Sequence, residues 1–308
     1  MDGIFSRLYL DDTFEPDIDI RKFLQDSFEE IRMTHPFRSY IHTFWPTTAA
    51  VECIVHKSSG QFIFAATVVL YVQSIRHRPQ DRLDIIMNLQ PSQGNLPFAE
   101  LDALYTMILS AAADIDKVLY ALSIYLLNVT YRESNFDVSE YMSLDDDELE
   151  VLFCDLHALV SLEWNEEEGF TALKILHASL HDFLLDASRS KEYFISLDAY
   201  RTVHLENIIR YIALKPWDDS DCFMICKRAS SVHSFVSTNL SICQISTELM
   251  YQAFNFPIEQ VLQMLQNVRY SAFDIMSFVI FELFPFIQRT VTGLILYFSS
   301  KNFLICFQ

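Results

Sequence analysis

A chain of 308 residues holds one large or two to three small domains, and a 51% hydrophobic content excludes general disorder. Its 22 Lys and Arg face 41 Asp and Glu, and a net charge of −19 argues against nucleic acid as a partner, because duplex affinity comes from bases that neutralise phosphates. The six cysteines have no disulfide-framework spacing and the N-terminus lacks the apolar core of a signal peptide, which predicts a cytoplasmic location. Five glycines, none spaced as G-x-x-x-x-G-K-[ST], exclude a complete P-loop NTPase within these residues.

In chain order, Asp17 to Met33 carries Ile20, Phe23, Leu24, Phe28 and Ile31 on one face, which predicts an amphipathic helix. His35-Pro36 stops it, Trp45-Pro46-Thr47-Thr48 marks a boundary, and a second helix is expected from about Ala49 to His56. The uncharged stretch Ser58 to Ile75 reads as the central helix of a small bundle, its unbroken apolar part too short to span a membrane. Pro79 suits the first turn of a helix over Gln80 to Leu89, and Pro91 to Pro97 is a linker. Helices over Phe98 to Ala113 and Ile115 to Asn128 follow.

Further on, Ser143 with Asp146, Asp147 and Glu148 predicts a capped, acid-rich helix start running through Leu149 to Leu159. The acids lack the glycine and alternating ligands of an EF-hand loop, so calcium is not expected. Leu159 to Trp164 and Phe170 to Ile175 flank a Glu-rich tip and predict a β-hairpin. The run Leu173 to Asp186 then turns from strand to helix at His177, with Ser179 and Asp182 in capping-box register. On a continuous helix His177 and His181 would share a face, but no third metal ligand lies in local register. A last short strand is expected at Tyr193 to Leu197, and helices at Tyr200 to Ala213 and about Leu249 to Asn267. Ser271 to Gln308 is apolar and aromatic, interrupted by Glu282 and Arg289.

Three runs carry a family resemblance. His177-Ala178-Ser179-Leu180-His181-Asp182-Phe183-Leu184 resembles the H-x-S-F-x-D-F-L segment that closes the winged helix of fungal NACHT proteins, members of the STAND class of signalling NTPases. Lys57-Ser58-Ser59-Gly60-Gln61-Phe62-Ile63-Phe64-Ala65 resembles the K-S-x-G-x-F-I-x-A run of the helical domain after the NACHT core. Pro97 to Tyr105 is similar to the P-x-x-x-L-D-x-L-Y stretch that leads to the winged helix.

The resemblance implies a mainly α fold: a helical bundle, a winged helix with a small β-hairpin wing, then a further helical region. The corresponding divisions are 1–16 as a remnant of the NTPase core edge, 17–113 as the helical domain, 114–200 as the winged helix, 201–270 as a helical region and 271–308 as an apolar tail. It implies a non-catalytic regulatory fragment, NLR-like, of a protein whose intact relatives bind ADP or ATP and act in innate-immune signalling. No cofactor is expected for this chain alone. By resemblance His177 matches a histidine that contacts the β-phosphate of ADP, and Gly60 and Phe62 lie near the adenine. The plain structural alternatives are a satisfied polar residue at His177, a turn former at Gly60 and a core side chain at Phe62. Expected partners are proteins or an NTPase domain outside this chain. The rival reading is a self-standing helical interaction module that binds protein partners or, through residues 271–308, membranes.

Overall fold

In the computed structural model the described residues are 16–91, 98–131, 138–142, 144–166 and 170–214. They are mainly helical with one two-stranded sheet. The chain divides into two compact units, interleaved in sequence: residues 1–115, 152–161 and 175–193 form the first, and 116–151, 162–174 and 194–308 the second. The segments 152–161 and 175–193 thus come from the stretch that the sequence reading gives to the winged helix. The expected helix at Leu249 to Asn267 and the tail 271–308 lie outside the described residues.

The first unit begins with α1 (Pro16–Thr34), which has Pro at its start, Asp17 and Asp19 in the first turn and Arg32 in the last, each matched to the helix dipole. Its apolar face, Ile20, Leu24, Phe28 and Ile31, is buried. Helix α2 (Thr48–Ser58) starts where Thr47 Oγ1 accepts from Ala50 N at 3.2 Å. Helix α3 (Phe62–Val72) packs against α1, α2, α4 (Pro79–Asn88) and α5 (Ala99–Leu109), as befits a segment that is apolar on nearly every side. It is shorter than the expected Ser58 to Ile75, because Ser59 and Gly60 adopt positive φ and break the helix between α2 and α3.

The other first-unit helices are α9 (Ala178–Leu184) and α10 (Ala187–Ser190), and α10 packs on α5. Asp186 caps α10 by accepting from Ser188 N at 2.9 Å. The strand expected at Tyr193 to Leu197 does not form. Lys191 takes φ 50°, a 3-10 turn closes over Lys191–Tyr193, and Tyr193 and Ile195 are buried as the chain passes on.

The second unit contains α6 (Ile115–Tyr131) from Asp116 onward, α7 (Val138–Met142), most of α8 (Asp146–Phe153) and α11 (Leu197–Leu214). The N-cap of α8 is Asp145: its backbone N donates to Glu148 Oε2 at 2.9 Å, the return half of a capping box. Ser143, the expected cap, lies outside the described residues. Helices α6 and α11 are joined by Ser123 Oγ with His204 Nε2 at 2.8 Å, and by the Tyr120 ring 4.5 Å from that of His204. The strands β1 (Val160–Asn165) and β2 (Phe170–Ile175) form the expected hairpin, with Leu176 N donating to Leu159 O at its base.

Candidate functional site

Gly60 and Phe62 occupy one corner. Ser59, the α2 C-cap, is left-handed at φ 48°, Gly60 follows at φ 74°, and Gln61 N closes the turn on Ser58 O at 2.7 Å. A Cβ on Gly60 would stand 3.3 Å from Pro16 Cγ, so a glycine meets both the conformation and the close approach of the α1 start. Phe62 is not core: it is 47% exposed, its ring 4.7 Å from that of Phe23 on α1. The corner therefore presents an aromatic pair to solvent beside a glycine turn.

Lys57, first residue of the same run, has a structural duty. Its buried Nζ donates to Leu89 O at 2.6 Å and to Glu100 Oε2 at 3.0 Å, tying the end of α2 to the end of α4 and the start of α5.

His177 stands at the second corner, two residues after β2. Its backbone is extended (φ −139°, ψ 128°) and it is the N-cap of α9, so it does not share a helical face with His181, contrary to the continuous-helix reading. Nor does Ser179 cap the helix. No side chain caps α9; Ser179 Oγ instead lies 2.8 Å from Tyr105 Oη, and Asp182 Oδ1 is 3.3 Å from His181 Nδ1. The His177 ring is half-buried, its Nε2 shut from solvent with no hydrogen-bond partner among the described residues. Burial pushes its pKa down, in favour of the neutral ring. No ring contact, ion pair or hydrogen bond joins His177 to Gly60 or Phe62 among the described residues.

What sequence reasoning missed is how the three runs meet through α5. Glu100 pairs with Lys57, as above. Asp102 takes a two-pronged ion pair from Arg189 on α10, Nη2 to Oδ1 at 2.7 Å and Nε to Oδ2 at 3.1 Å. Arg189 also lies over the Phe98 ring at 5.0 Å. Tyr105 Oη meets Ser179, and its ring packs edge-on to Phe183 at 5.5 Å. The cleft between α5 and α10, about 400 Å³, is lined by Asp102, Thr106, Met107, Ser188, Arg189 and Lys191 among others. A second tie fixes the segment after α8: Asp155 meets His77 Nε2 at 3.1 Å, Arg82 Nη2 at 3.6 Å and Arg76 Nη1 at 3.8 Å. Burial raises the Asp155 pKa, but the His77 hydrogen bond and the charges of Arg76, His77 and Arg82 outweigh it and hold the carboxyl below the usual range. Residues Arg76, His77 and Arg78 are adjacent in sequence, whereas the Asp155 that meets His77 is 78 residues away.

Among the described residues no group of three or more His, Cys, Asp or Glu is placed to hold a metal ion, and no helix is long and apolar enough to cross a membrane. Comparison with protein-family models, with curated proteins and with solved structures finds no match to this chain.

Proposed function

We propose that this chain is the regulatory part of a NACHT-type NTPase of the STAND class, a helical domain with a winged helix, which passes the nucleotide state of an NTPase core to oligomerisation. One observation carries the reading: the three runs that resemble the family contact one another through α5, by Lys57 with Glu100 and by Tyr105 with Ser179 and Phe183. Residues far apart in sequence would have no reason to match separate family runs and also form one set of contacts unless the runs were parts of a single device. The hairpin directly before His177 is consistent with a wing.

In this reading His177 responds to a phosphate held elsewhere. Its Nε2 lacks a partner among the described residues, which leaves a ring nitrogen to contact that phosphate. Phe62, exposed beside Gly60, would offer an edge to the adenine. The chain has no loop to cradle phosphates, so ADP would have to be held by a P-loop in another segment or another chain. The nucleotide then shifts a packed interface between two states.

Isothermal titration with ADP tests this on the chain alone and on the chain joined to a NACHT-type P-loop NTPase domain. Expected are no binding alone, binding in the joined protein, and a loss of roughly tenfold in affinity for His177→Ala. Micromolar ADP binding by the chain alone, or equal affinity with and without His177, would refute it.

A further inference from the structure

We infer that one end of the first unit is a docking surface for an anionic lipid bilayer, an inference that does not rest on the reading above. Two loops build this end. Residues 35–47 follow α1 and residues 73–78 join α3 to α4, and neither loop contains an Asp or Glu, in a chain with a net charge of −19. They are joined to each other: His35 Nε2 lies 3.2 Å from Ser74 O, and the Arg78 guanidinium is 5.7 Å from the Tyr40 ring centre. With its amide oriented to suit both partners, Gln80 donates to Tyr40 O at 3.3 Å and accepts from His42 N at 3.0 Å.

From this platform large apolar side chains face solvent. Phe44 is 79% exposed, Ile75 69%, Tyr40 67%, and Met33 at the end of α1 64%. The backbone on either side of Phe44 is tied down: Arg32 Nη1 donates to Thr43 O at 3.1 Å, and Trp45 packs edge-on to Phe28 at 5.4 Å. Ordered backbone that holds several large apolar groups in water is the pattern of a binding surface.

Charge selects the occupant. Arg32 is paired with Glu29, and Arg76 and Arg82 share Asp155, but Arg38 and Arg78 have no carboxylate partner among the described residues. Exposed bases interspersed with Phe, Tyr, Ile and Met match the interfacial layer of an anionic bilayer, where apolar groups enter the acyl boundary and bases meet headgroups. Single-stranded nucleic acid fits less well, since Ile75 and Met33 offer no ring on which a base could stack. The acidic balance of the chain would repel such a membrane in other orientations and so would favour contact by this end.

The test is co-sedimentation of the full chain with phosphatidylcholine vesicles, with and without about one-third phosphatidylserine. Expected is binding to the anionic vesicles alone, lost as salt is raised. Arg38→Gln and Arg78→Gln should each cost about fivefold, and Phe44→Ser with Ile75→Ser roughly tenfold or more. All four side chains are exposed, so an unchanged thermal melt should accompany each loss. Equal binding to neutral and anionic vesicles, or no binding, would overturn the inference. So would binding that survives Phe44→Ser with Ile75→Ser and disappears when residues 271–308 are deleted, which would assign it to the tail.

Discussion

The two units differ in the polar groups that stand out between their helices. In the first, charged ties stand out: Arg189 with Asp102, Lys57 with Glu100, and Asp155 with Arg76 and Arg82 beside the His77 ring. In the second, α6 and α11 meet through a fully buried neutral imidazole, His204, against Ser123 and Tyr120. A charged tie strongly favours one geometry, because truncating one partner strands the other away from water. A neutral buried histidine instead makes its unit sensitive to acid, since protonation would place a charge out of reach of water.

The largest effect should come from that imidazole. Burial pushes the His204 pKa down to about 3, from 6.5 in the unfolded chain. Between these values the unfolded state binds a proton that the folded state refuses, so the stabilisation is complete above pH 6.5 and is lost as pH falls towards 3. Over the whole window the loss is up to roughly 5 kcal/mol at about 1.4 kcal/mol per unit. Amide exchange read at α6 and α11 should rise across this range before it rises in α1 to α5, and His204→Gln should flatten the slope. Exchange that rises equally in both units would erase the contrast drawn here.

Next in size, Asp102→Ala leaves the Arg189 guanidinium, only 17% exposed, without its carboxylate. A loss of about 2 to 3 kcal/mol is expected in denaturant unfolding, less than for a fully buried pair because some water reaches the site. Replacing both Asp102 and Arg189 by apolar residues should recover part of it. The smallest effect sharpens the picture of the first unit alone: Thr47→Ala removes the α2 cap and should cost about 1 kcal/mol, seen as a lower midpoint with an unchanged slope.

Much of the helix content was legible because it is local. The spacing of Ile20, Leu24, Phe28 and Ile31 sets the buried face of α1, Pro79 opens α4, and the two runs around the Glu-rich tip give the hairpin. Errors arose where a distant partner outbid a local one. Ser179 reads as half of a capping box, but Tyr105, 74 residues away, takes its hydroxyl. The span 193–197 alternates like a strand, yet no strand pairs with it among the described residues and burial of Tyr193 and Ile195 is met by a turn. Of the candidate site, the Gly60 turn was readable from residue type. The exposure of Phe62 was not, since only the course of α1 leaves one side of that ring uncovered.

The chain departs from the first unit at residue 115 and has not finished contributing to it until residue 193. During synthesis from the N-terminus, α1 to α5 therefore emerge before their last structural partners exist. Asp102 and the Tyr105 hydroxyl wait in water until α9 and α10 leave the ribosome and supply Arg189 and Ser179. A nascent chain stopped in that interval would carry a bare flank on α5, a natural foothold for a chaperone or a protease.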